Sequence, residues 1–199
     1  MFPSCTRRRV ARPIALAVAL LAGLALARPE GARAAEPAPS APPTDAEIAH
    51  IVVTANQVDV DAGELAKKKA HDAEVKGFGE RMVVDHTAVN QKAAALAKKL
   101  ALTPKDNPTS QSLAKGGDQN RASLEKLSGA AFDKAYIDHE VAYHQQVLDA
   151  IDKVLEPNAK NAELKGLIQS VRPAIAAHLE HAKQIQGRLS GKAPAAGGY

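Results

Sequence analysis

Four long segments of this chain repeat apolar residues at steps of three and four, a periodicity that only helices satisfy. In the first, Ile48, Ile51, Val52, Ala55, Val58, Ala62, Leu65 and Ala66 fall on one stripe. The second carries Val75, Phe78, Met82, Val89, Ala93, Leu96 and Leu100. The third has two adjoining stripes, Phe132, Tyr136, Tyr143, Val147 and Val154 beside Ile137, Val141, Leu148, Ile151 and Leu155. The fourth carries Leu164, Leu167, Ile168, Val171, Ile175, Leu179, Ala182 and Ile185. No stretch alternates convincingly with period two, and aromatics are 3% of the residues, so strands are not expected.

Local signals set the boundaries. Thr44-Asp45-Ala46-Glu47 has the capping-box pattern, so the first helix starts there and runs to about His71. The second spans about 73–100. Ser128 is a good N-cap for the third, and Pro157 with Asn158 should stop it. The fourth spans about 162–189, with an internal Pro173 that removes one backbone hydrogen bond and should kink it. Each rod is about 40 Å long. Short turns near residues 72 and 158 make two antiparallel hairpins. Residues 102–127 hold Pro104, Pro108, Gly116 and Gly117, with a short helical piece expected near 119–126. Such a connection is long enough to return along the whole bundle, as in ferritin-like folds. The expected architecture is an all-α, ferritin-like four-helix bundle over residues 44–190. A Pro/Ala linker (35–43) precedes it and a Gly/Ala/Pro-rich tail (191–199) follows.

Residues 1–34 read as a cleaved signal peptide. Arg7, Arg8, Arg9 and Arg12 precede an uncharged apolar run over 14–27, too short to span a bilayer. Ala32-Arg33-Ala34 suits a signal peptidase, which points to a periplasmic mature chain with no integral membrane span. The Arg-rich start also loosely matches a twin-arginine signal. Six of the 26 Lys and Arg but one of the 22 Asp and Glu lie in this segment, so the mature chain has 20 positive against 21 negative groups, a net of −1. The basic balance therefore belongs to the export signal, and nucleic acid is not an expected partner. Cys5, the single cysteine, also lies there, so the mature fold relies on its core and not on disulfides.

Ionisable residues interrupt the apolar stripes, where an unpaired charge is costly. Asp59 flanks Ala55 and Ala62. Asp85 and His86 break the second helix, His139, Glu140 and His144 the third, and His178 the fourth, with His181 one turn on. Counting from the turns at about 1.5 Å per residue sets Asp59, His86 and His144 at one mid-bundle depth, and His178 level with residues 138–140. Asp59, His86, Glu140, His144 and His178 are thus candidate metal ligands, a set suited to iron, manganese or zinc. The competing account is a hydrogen-bonded polar layer that fixes helix register. His50 and His71 read as surface residues, and Tyr136 and Tyr143 as core.

At these residues the chain resembles a bacterial exported family, the domain of unknown function numbered 4142. The resemblance covers about residues 45–189. It rests on Ala55-Asn56 with Asp59 and Gly63-Glu64-Leu65-Ala66, on Glu74-Val75-Lys76 and Arg81-Met82-Val83-Val84-Asp85-His86-Thr87, on Leu127-Ser128-Gly129-Ala130-Ala131-Phe132-Asp133-Lys134-Ala135-Tyr136, on His139-Glu140-Val141-Ala142-Tyr143-His144, and on Arg172-Pro173 with His178-Leu179. It implies a ferritin-like bundle in an exported protein and brings no reaction. Outer-membrane insertion finds no support, for want of amphipathic strands. The di-iron Glu-x-x-His spacing occurs only at Glu47–His50, away from mid-bundle. The sequence therefore favours a non-catalytic role, through self-association or an envelope protein partner, with metal binding at the bundle core as the alternative. Peripheral membrane attachment would need a basic face with aromatic anchors, which the mature domain lacks.

Overall fold

A computed structural model of the protein describes residues 41–191. The expected signal peptide, the expected linker up to residue 40 and the tail from residue 192 lie outside the described residues. Helix α1 is Asp45–Lys69. The capping box forms: the Thr44 hydroxyl accepts from the Glu47 N–H, and the Glu47 carboxylate accepts from the Thr44 N–H at 2.9 Å. Ala70 turns extended, so α1 stops two residues before the expected His71. Helix α2 is Ala73–Lys99, capped by Asp72. The two close into a tight hairpin. A Cβ on Gly63 would stand 2.7 Å from the Gly79 carbonyl oxygen, so glycine is what lets these backbones approach.

The long connection is more ordered than its glycines suggest. It holds helix α3, Pro108–Leu124, rather than a short piece at 119–126. Asn107 and Ser110 cap it reciprocally, and Pro108 opens it, where a missing N–H costs nothing. Gly117 faces Val58, whose methyl carbon a Cβ would meet at 2.7 Å. Close packing of α3 on α1 offsets the helix propensity that Gly116 and Gly117 forfeit.

Helix α4, Gly129–Ala150, starts after Ser128 as expected, although the Ser128 side chain makes no capping bond. It runs on through a π-helical turn, Ile151–Leu155, into the short α5, Glu156–Asn158. Pro157 lies in the last turn of this continuous rod, just after the π-helical turn, and supplies no N–H to it. The rod ends at Asn158, where Pro157 and Asn158 are expected to stop it, and the turn falls at residues 159–161. Helix α6, Ala162–Leu189, is continuous across Pro173. This later turn corrects the expected depth of His178: it sits opposite His144, not level with residues 138–140.

Helices α1, α2, α4 and α6 form the bundle, and α3 packs against α1 and α4. Each hairpin holds the turn of the other. Asp45 accepts from the Lys160 and Asn161 N–H groups at 2.8 and 3.0 Å. Asp133 accepts from the His71 and Asp72 N–H groups at 3.0 and 2.9 Å. The core splits in two. One apolar cluster gathers around Ile48, Ile151 and Ile168, the other around Phe78, Met82 and Phe132. The polar layer lies between them. Among the described residues there is no strand, and no helix is long and apolar enough to cross a membrane.

Candidate metal centre

Each bundle helix sends at least one ionisable side chain into this layer. Asp59 comes from α1, His86 from α2, Glu140 and His144 from α4, and His178 from α6. All five are at most 5% exposed. Antiparallel pairing of each hairpin sets these positions at one depth. One donor atom from each of His86, His144 and His178 lies within 4.8 Å of the others, and Asp59, Glu140 and His144 form a second such trio. The three imidazole centroids are 5.3 to 5.7 Å apart.

Every imidazole is anchored through one nitrogen. The His86 Nδ1–H donates to Asn56 Oδ1 at 2.7 Å. Asn56 is oriented in turn because its Nδ2 donates to the Val52 carbonyl oxygen at 2.7 Å. The His144 Nδ1–H donates to the Glu140 carbonyl oxygen at 3.0 Å, with the Glu140 carboxylate 3.3 Å away. The His178 Nε2–H donates to Asp85 Oδ2 at 2.9 Å. The opposite nitrogens, His86 Nε2, His144 Nε2 and His178 Nδ1, are buried without a partner. So are Asp59 Oδ1 and both Glu140 carboxylate oxygens. A purely structural polar layer satisfies its buried atoms. Here the bonds that exist fix each ring's orientation and leave its opposite nitrogen buried and unpartnered, as outer-shell partners do for metal-bound histidines. His86 Nε2 and Asp59 Oδ2 are 3.5 Å apart. Two ligands sharing one ion at bonds near 2 Å stand roughly 3–4 Å apart.

The electrostatics agree. Burial pushes His86 down to about 3, helped by the neighbouring His144 and His178, so it stays neutral. Burial also lowers His178, only partly countered by the Asp85 hydrogen bond. Burial drives the Asp59 carboxyl well up, with His144 opposing and Glu140 adding. Burial disfavours a charged His144 as well, but Asp59 and Glu140 overcome it and push that ring up to about 9. The Asp59–His144 pair therefore retains a proton near neutral pH.

All five residues expected as ligands come together. Asn56 and Asp85, which position two of them, lie outside the ligand set expected from the sequence. Asp85 interrupts its stripe, and Asn56 stands three residues from Asp59. His139 lies outside the ligand set and stacks on Tyr143, with ring centroids 5.5 Å apart. His181 is on the surface side, near Glu74. Tyr136 and Tyr143 are core residues, as expected. The Tyr136 hydroxyl is buried and unpartnered, and the Tyr143 hydroxyl donates to the Ala55 carbonyl oxygen at 3.1 Å. His71 is exposed as expected, while His50 is part-buried.

Comparison with known proteins gives a family and a fold. A family model described as a domain of unknown function (DUF4142) matches residues 29–185. No curated protein matches the chain. A solved structure described as CopM in the Cu(II)-bound form is similar at 15% identity and a TM-score of 0.57. That likeness covers 74% of this chain and 99% of the other, and at this identity it speaks to the fold alone.

Proposed function

The chain belongs to the DUF4142 family, whose name carries no activity, and from its own bundle core we propose that it is an exported protein that binds one divalent transition-metal ion. His86, His144 and His178 are the primary ligands, and Asp59 completes the set. Glu140 stands beside the His144 ring and fixes its orientation. The observation that carries this reading is the trio of buried imidazoles, each anchored at one nitrogen and unpartnered at the other.

Charge balance supports it. Two buried carboxylates need positive charge nearby, and a divalent ion with neutral imidazoles supplies it in one step. Binding then releases the proton retained by Asp59 and His144. An imidazole-rich set suits copper(II) and zinc(II). Iron and manganese, admissible from the residue types, stand lower in the affinity order. The neighbour whose title names bound Cu(II) is in keeping with this choice. Residues 1–34 support export, and a mature N-terminus at Ala35 would establish the cleavage.

Elemental analysis of the mature protein, purified with copper, zinc, iron and manganese supplied, tests the reading. One copper or zinc ion per chain is expected, with a lower Tm after chelation. Sub-stoichiometric metal together with an unchanged Tm would leave a scaffold of helices acting through partners.

A further inference from the structure

Beside the ligand cluster lies a cavity of about 40 Å³. At one end it meets Asn56, Asp59 and His86, and elsewhere its lining is aliphatic. Val171 and Ile175 close it from α6, Ile151 and Leu155 from the π-helical turn. We propose that this cavity is a second binding position, where one uncharged diatomic molecule reaches an open coordination position on the ion held by the histidines. The inference rests on the metal reading of the preceding subsection.

Three features support it. First, size: about 40 Å³ exceeds the roughly 10–15 Å³ that one water-sized molecule needs, so the space accepts one small molecule. Second, polarity: both polar ends of Asn56 are engaged, by Val52 and by His86, so it offers the cavity nothing further. His86 Nε2 and Asp59 Oδ1 are unpartnered, and an ion placed between them would be the single strong binding group at that end. An aliphatic wall penalises a desolvated anion and tolerates a neutral molecule. Third, backbone: both ends of the π-helical turn line the cavity. Such turns are rare and concentrate at functional sites because they re-space side chains within a helix. An ion held by the three imidazoles and Asp59 would take an added molecule by expanding from four to five ligands, or by exchange of the Asp59 carboxylate at the cavity's end.

The test uses carbon monoxide as the probe. The mature protein is loaded with copper, reduced anaerobically to copper(I), and titrated while the C–O stretch is read by infrared spectroscopy. One carbon monoxide per copper is expected. Val171→Phe fills the space from a part-exposed position. It should keep its copper and bind carbon monoxide about tenfold more weakly or worse. Ile175→Ala enlarges the space and should admit ethyl isocyanide, which the wild-type protein excludes; this arm stands even where Val171→Phe fails to fold. Copper-loaded protein with no carbonyl band, or with equal carbon monoxide affinity in wild type and Val171→Phe, overturns the proposal. So does equal isocyanide binding in wild type and Ile175→Ala. A chain that takes up neither copper nor zinc overturns the metal reading instead.

Discussion

The Asn56 side chain joins two helices: its Oδ1 accepts the His86 Nδ1–H at 2.7 Å, and its Nδ2 donates to Val52. Because the amide direction is fixed, the His86 tautomer is fixed, and Nε2 carries the lone pair. Asn56→Leu keeps roughly the same bulk and removes this control. Metal affinity should fall 10- to 100-fold, the usual loss for an outer-shell partner, with helical content unchanged. Isothermal titration with copper or zinc measures it. Wild-type affinity in Asn56→Leu would refute the positioning role.

His144 belongs to both ligand trios. His144→Ala should abolish stoichiometric binding. It should also destabilise the metal-free protein by about 3–5 kcal/mol, because it strips buried carboxylates of their counter-charge. Urea unfolding of apo samples reads the second effect separately from the first. Tight metal binding in this variant would refute the ligand assignment.

The metal-free protein should be most stable near pH 6.5. His86 is held down to about 3 in the folded state against an unfolded value of 6.5. Between those values the unfolded chain binds the extra proton, so stability is lost as pH falls below 6.5. His144 goes the other way. Its folded value of about 9 contributes stability that is complete below 6.5 and lost as pH rises through 9. Thermal melts from pH 4 to 10 should therefore fall on both sides. Metal takes the place of the retained proton, so the loaded protein should lose the alkaline decline. A decline that persists in His144→Gln would place its origin elsewhere.

Asp133 holds the first hairpin's turn through two N–H groups. Asp133→Ala removes the acceptor of two part-buried N–H groups and should cost about 1–3 kcal/mol of stability. Metal stoichiometry should be unchanged in the protein that folds. Differential scanning calorimetry with metal analysis on the same sample checks both. A variant that keeps its Tm would show that water replaces the carboxylate at no cost.

Much of the helical frame is legible along the chain. The capping box at Thr44, the start at Ala73 and the limits at Ala162 and Leu189 are all local matters of caps and periodicity, which act over a few residues. The five candidate residues are legible for a similar reason, since a polar group on an apolar stripe must be buried, and a turn count estimates its depth. The depth of His178 is mispredicted because the count starts from a turn at residue 158. The rod does end at Asn158, but the reversal falls at residues 159–161, and the π-helical turn inserts an extra residue into the rod. Helix α3 is underestimated because Gly116 and Gly117 lower local propensity, while packing of Gly117 against Val58 is a long-range gain.

The sequence by itself determined four amphipathic rods and the chemical identity of the groups turned inward, because periodicity and residue type are properties of neighbours in the chain. Tertiary structure decided which nitrogen is free on His86 and His178. That depends on Asn56 reaching His86 from another helix and on Asp85 reaching His178, whereas His144 is anchored within its own helix by the Glu140 carbonyl. It also decided that an aliphatic cavity opens beside Asp59 and His86, since a void is set by how four helices fit together and by no single one of them.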